Sequence, residues 1–166
     1  MAKGAKHVVE CGVLNDGTSP ALDFLNSLRA GTWSDPKRDT SGPPDEQIKD
    51  WAMFMRMAKR LADFDMPTGG KSQTRDLEDG IWEFKRDRLR LSWYDTNGAG
   101  SYDPKPWIHD RAQSPAPDDD ESWWFPLFDW NIRLGHAFPK GGDFTDTFDI
   151  QETIRVRAED VAHDIE

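Results

Sequence analysis

A chain of 166 residues with net charge −10 and 36% hydrophobic residues suits one domain and argues against an indiscriminate nucleic-acid binder, whose surface is basic. No run reaches the roughly 20 apolar residues of a membrane helix, the N-terminus shows no hydrophobic region of a signal peptide, and the single cysteine, Cys11, excludes an internal disulfide. These features point to a reducing cytoplasm, and eight Trp and nine Phe supply the core volume that the low apolar fraction lacks.

Residues 7–13 (HVVECGV) read as a short strand, with Cys11 as a small buried hydrophobe, and Asn15-Asp16-Gly17 as a turn. Ser19 is placed to cap a helix and Pro20 to occupy its first position. Leu22, Leu25 and Leu28 share a face of that helix with Phe24 beside them, and Gly31 stops it. After a polar loop over residues 32–44, residues 45–64 form the longest helix. Its stripe is Ile48, Trp51, Ala52, Met55, Ala58 and Leu61, and Met53, Met55 and Met57 read as core packing rather than as a pliable binding face. Pro67, Gly69 and Gly70 end it.

The period then changes from helical to two. Residues 81–85 and 89–94 alternate apolar and polar side chains around the charged turn Arg86-Asp87-Arg88, the pattern of a β-hairpin with one face buried and one wet. Its polar positions are basic: Lys85, Arg86, Arg88 and Arg90. Residues 95–122 carry Gly, Pro and the acidic run Asp118-Asp119-Asp120-Glu121, and read as an irregular insert with an exposed tip. A sharper reading lets the acidic run shield the basic sheet. Trp123, Trp124, Phe125, Leu127, Phe128 and Trp130 read as core or as packing of the insert rather than as a base-stacking platform. Residues 131–140 (NIRLGHAFPK) add a strand bearing Arg133, His136 and Lys140. Gly141-Gly142 make a turn, and residues 149–165 a final helix capped by Asp149, with Ile150, Ile154, Val161 and Ile165 on its apolar face.

The histidines His7, His109, His136 and His163 lie far apart, and no paired-Cys, H-E-x-x-H or phosphate-loop motif occurs. No cofactor or metal is expected. The chemistry left open is metal-free RNA cleavage, in which a 2′-hydroxyl attacks its own phosphate. This needs a base, cations on the pentavalent phosphate and an acid for the leaving oxygen. The plain alternative is a solvated sheet face with scattered charges.

Three blocks in order, Leu-Glu-Asp-Gly-Ile-Trp-Glu-Phe-Lys, Leu-Arg-Leu-Ser-Trp-Tyr and Leu-Gly-His-Ala-Phe-Pro-Lys, resemble the RelE/ParE toxin superfamily, and within it the HigB-like, phage-derived branch. The resemblance covers roughly residues 8–162 apart from the insert. It implies an α+β fold, with an N-terminal strand and two helices followed by an antiparallel sheet and a C-terminal helix. It also implies a toxin that cleaves ribosome-bound messenger RNA and is neutralised by a helix-turn-helix antitoxin. Carried over by position, it gives functional places to Lys85, Arg90, Tyr94, His136 and Lys140. Together with the basic strand positions read above, this makes His136, Lys85, Arg90 and Tyr94 the catalytic candidates and Arg86, Arg88, Arg133 and Lys140 the RNA-binding ones. Gly141 stands where the pattern commonly has a second Lys. A non-catalytic binding or regulatory protein, and a gyrase-directed toxin of the ParE kind, remain as alternatives.

Overall fold

The computed structural model describes residues 1–38, 41–66, 69–142 and 144–166. β1 (Ala2–Lys3) and β2 (Val8–Cys11) form an antiparallel pair. α1 (Pro20–Ala30) begins as expected, with the Ser19 side chain accepting from the Leu22 amide, and ends at Gly31, whose φ of 70° is the left-handed cap conformation. α2 (Pro44–Phe64) ends at Asp65, also left-handed; Pro67 lies outside the described residues. Then come β3 (Thr74–Asp76), β4 (Trp82–Arg86), β5 (Leu89–Thr96), β6 (Asn131–Pro139) and α3 (Thr147–His163). Among the described residues the strands make one six-stranded mixed sheet in the order β1-β2-β6-β5-β4-β3, in which only the β2–β6 pairing is parallel. The fold is α+β.

The expected face of α2 is rotated, and that of α1 departs at one residue. α2 buries Gln47, Phe54, Met57, Ala58, Leu61 and Ala62, while Ile48 is exposed. Gln47 displaces it because its amide secures the preceding loop: Oε1 accepts from the Trp33 amide at 2.9 Å, and Nε2 donates to the carbonyl of Gly42 at 2.8 Å. On α1, Leu22 is exposed while Ala21 takes a core place.

α1 and α2 cover one face of the sheet, burying Phe24, Leu28, Phe54 and Leu61 against Val9, Ile132, Leu134, Leu91 and Phe84. The insert continues that layer rather than standing away from it. Trp82 stacks on Trp93 at 5.7 Å and on Trp107 at 6.2 Å, Trp107 stacks on Trp124 at 4.2 Å, and Phe125 and Phe128 pack edge-on to Trp82. Each such ring buries roughly 150–250 Å², which explains how a Pro- and Gly-rich segment holds its place with only one 3₁₀ turn, Arg111–Gln113. The aromatic cluster is therefore packing, apart from Leu127 and Trp130, which are exposed. The acidic run stays at the tip, where Asp118 meets Arg111 at 3.7 Å and Asp120 caps Ser122.

The opposite sheet face was expected to be wet. Instead α3 lies across much of it, and β5 is buried on both sides from Leu91 to Thr96. Gly135 permits the approach, since a Cβ there would stand 3.0 Å from Thr153 and 3.1 Å from the Ser92 hydroxyl. The cap of α3 is Asp146, one turn ahead of the expected Asp149. Asp149 is drawn inward, as described below.

Candidate functional site

α3 divides the polar face of the sheet into two parts. Under the helix, Arg133 donates to both oxygens of Asp160 at 3.3 Å and to Asp164 at 3.1 Å. The Tyr94 hydroxyl donates to Asp160 at 3.0 Å, and Asp160 also accepts from the Val13 amide at 2.9 Å. Burial, and then the Asp160 carboxylate, push the Tyr94 phenol well above its ordinary range. Arg157, fully buried, reaches past the sheet to Asp79 and lies 3.8 Å over the Tyr102 ring. Every cation here meets a carboxylate.

Beyond the first turn of α3 the face is open, and the balance reverses. Register places Arg75, Glu83 and Ser92 in one row, and Lys85, Arg90 and Phe138 in the next. Glu83 is fully buried, with Oε1 at 3.3 Å from Arg75 Nε and 3.5 Å from Arg90 Nε. Neither of its oxygens accepts a hydrogen bond from the described residues. Desolvation therefore dominates and raises its pKa, against the pull of Arg75, Arg90, Lys140 and Lys85. The same crowding lowers the pKa of Lys85, through burial and then Arg90, and that of Lys140, through burial and then Arg75. Arg75, Lys85, Arg90 and Lys140 thus gather around one buried carboxylate whose pKa burial raises.

His136 stands at the border. A register shift in the β5–β6 ladder falls opposite it, and the Ser92 hydroxyl fills the gap, accepting from the His136 amide at 2.8 Å while lying 2.7 Å from Thr153 Oγ1. The His136 ring stacks on Phe138 at 5.8 Å, with Nε2 at 3.1 Å from Asp149. Asp149 also faces Lys37 at 3.6 Å, which explains why it is buried in the first turn rather than capping it. A cleft of about 470 Å³ opens beside this pair, walled by Lys37, Phe138, Lys140, Phe144, Thr145 and Asp149 among others.

Of the residues singled out in the sequence, Lys85, Arg90 and Lys140 come together, with His136 beside the cleft that Lys140 lines. Arg133 and Tyr94 do not join them: Arg90 pairs with Phe138 and Tyr94 with Arg133, so the two arginines stand about 15 Å apart at ~3.3 Å per residue. Arg86 and Arg88 turn toward the helical layer, to Asp50 at 2.9 Å and Asp35 at 3.1 Å. Sequence reasoning missed Arg75, Glu83, Lys37 and Asp149. The only signal for Glu83 was a charged residue at an alternating position inside a strand, between Trp82 and Phe84.

Among the described residues no cluster of His, Cys, Asp or Glu could hold a metal ion, and no helix is long and apolar enough to cross a membrane. Burial pushes the Cys11 thiol up to about 11, so it is an inert packing group. Compared with known proteins, the chain matches no family model, and no curated protein is significantly similar to it.

Proposed function

We propose that the open end of the sheet binds an RNA phosphate, and that the protein is a metal-independent endoribonuclease of the RelE/ParE toxin type, HigB-like in its motifs. In this reading it acts on ribosome-bound messenger RNA and is held in check by a helix-turn-helix antitoxin. The observation that carries the reading is the gathering of Arg75, Lys85, Arg90 and Lys140 around the buried Glu83 beside His136. The element order also supports it: two short strands, two helices, four strands paired antiparallel and a closing helix, close to the order that the motif resemblance implies.

In this reading Arg90 and Arg75 hold the scissile phosphate, each guanidinium able to grip two oxygens. A neutral His136 that donates Nε2–H to Asp149 keeps Nδ1 as an acceptor for the 2′-hydroxyl proton. Lys85 or Lys140, whose pKa is lowered by burial and by the neighbouring arginines, gives its proton to the leaving 5′-oxygen more readily than an ordinary lysine. Arg133 and Tyr94 hold α3 in place. A second reading, a sheet that binds a partner without cleavage, is favoured by one observation: the Tyr94 hydroxyl is already bound to Asp160 beneath α3.

Induced expression in a bacterial host, with RNA ends mapped, tests the proposal. Growth arrest with 2′,3′-cyclic phosphate ends, both lost in Arg90→Ala, is the expected result. Arrest without cleaved RNA would leave the binding role, and neither arrest nor cleavage would overturn the nuclease.

A further inference from the structure

Phe144 is the most exposed large hydrophobic side chain among the described residues, at 90%. A single exposed apolar residue is ordinary. Its setting is not, because Phe144 forms a wall of the cleft whose other walls include Lys140, Lys37 and the buried ring of Phe138. Its neighbour Thr145 accepts from Arg75 Nη2 at 3.4 Å, so the loop that carries the ring is tied to the cation cluster. Phe148 is also exposed but is not a wall of this cleft.

The cleft and the cation cluster differ in charge. Asp146 and Asp149 line the cleft, and Asp149 is already matched by Lys37 and His136. These carboxylates disfavour a second phosphate, whereas they can accept hydrogen bonds from the N–H groups of a neutral base edge. A wet aromatic next to cations is what a base needs for stacking while its own phosphate is held nearby. We infer that the cleft receives one unpaired nucleobase, stacked on Phe144, while the adjoining phosphate lies on Arg75, Arg90 and Lys140. The ligand class is then single-stranded RNA, since a paired base is not free to enter. This inference rests on the phosphate-binding reading of the same face.

The test measures binding by fluorescence anisotropy for the full chain, using a labelled single-stranded RNA oligonucleotide, the same sequence as a duplex, and an abasic ribose-phosphate strand. Wild type should bind the single strand more tightly than either of the others. Phe144→Ala should weaken single-strand binding about tenfold, the order expected for loss of one stacked base, and leave abasic binding unchanged. Phe144→Trp should retain it, and Phe148→Ala should behave as wild type. Arg90→Ala should weaken all three ligands. Equal single-strand affinity in wild type and Phe144→Ala, with the Arg90→Ala loss intact, would overturn the base cleft and keep the phosphate face. Failure of wild type to bind any of the three would overturn both.

Discussion

The two parts of one sheet face use the same residue types to opposite ends. Under α3, Arg133 faces Asp160, Asp164 and, at 3.9 Å, Glu10, so carboxylates outnumber the guanidinium. Past the start of α3, Arg75, Lys85, Arg90 and Lys140 share Glu83, and cations outnumber the carboxylate. β5 and β6 run through both parts, and most of the carboxylates that face Arg133 come from the last helix. Where α3 lies, an arginine is structural, because a buried charge is tolerated only when paired and hydrogen-bonded. Where α3 has not yet begun, cations outnumber carboxylates among the described residues, and the surplus positive charge favours an anion.

The contrast predicts where stability and activity separate. The largest effect on folding should come from Asp160→Ala, which removes one of the two carboxylates hydrogen-bonded to Arg133 and the partner of both the Tyr94 hydroxyl and the Val13 amide. Removing one side of such a pair costs about 3–5 kcal/mol, read from urea unfolding. A cost under about 1 kcal/mol would show that α3 is held by its apolar contacts instead. His136→Ala should do the reverse. RNA cleavage should fall by roughly 10²–10⁴, the usual contribution of a general base, with the unfolding midpoint little changed.

Glu83→Gln sharpens the comparison through pH. An acid whose folded pKa is raised binds more protons folded than unfolded between its ordinary value and the raised one. Wild-type stability should therefore decline as pH rises from the ordinary glutamate range, near 4.3, through the raised value. Glu83→Gln should remove that part of the slope, measured as the difference in urea midpoint between the two proteins across pH. A difference independent of pH would mean that folding does not raise the Glu83 pKa. The smallest effect belongs to Arg86→Ala. Its partly exposed pair with Asp50 is worth about 0.2–1 kcal/mol in thermal unfolding, and RNA cleavage should not change, because Arg86 faces α2.

Much of the backbone was legible because the relevant signals are local. Ser19-Pro20 and Gly31 marked both ends of α1, and Arg86-Asp87-Arg88 marked a hairpin whose two-residue turn places Asp87 at φ 50°. Residues 131–140 announced β6 by alternation alone. Of the candidate site, Lys85, Arg90 and Lys140 were legible as basic residues on alternating positions. Their separation from Arg133 was not, nor was the part of Arg75, which sits on a three-residue strand too short to show a period.

α3 shows where a hydrophobic reading stops. Counting apolar residues placed Ile150, Ile154, Val161 and Ile165 on its inner face. The helix actually buries Asp149, Thr153, Val156, Arg157, Asp160 and Val161, while Ile165 is exposed. A polar residue becomes a burial site only when a partner waits across the interface, and those partners, Arg133, Tyr94, Ser92 and His136, lie on strands far away in the chain. Propensity, capping and alternation act between neighbours in sequence, so the chain alone determined its longer elements and most of the cations they carry, but not the short edge strands β1 and β3. Which cations are neutralised and which are left over depends on where a helix with matching carboxylates comes to rest, and only the tertiary structure decided that.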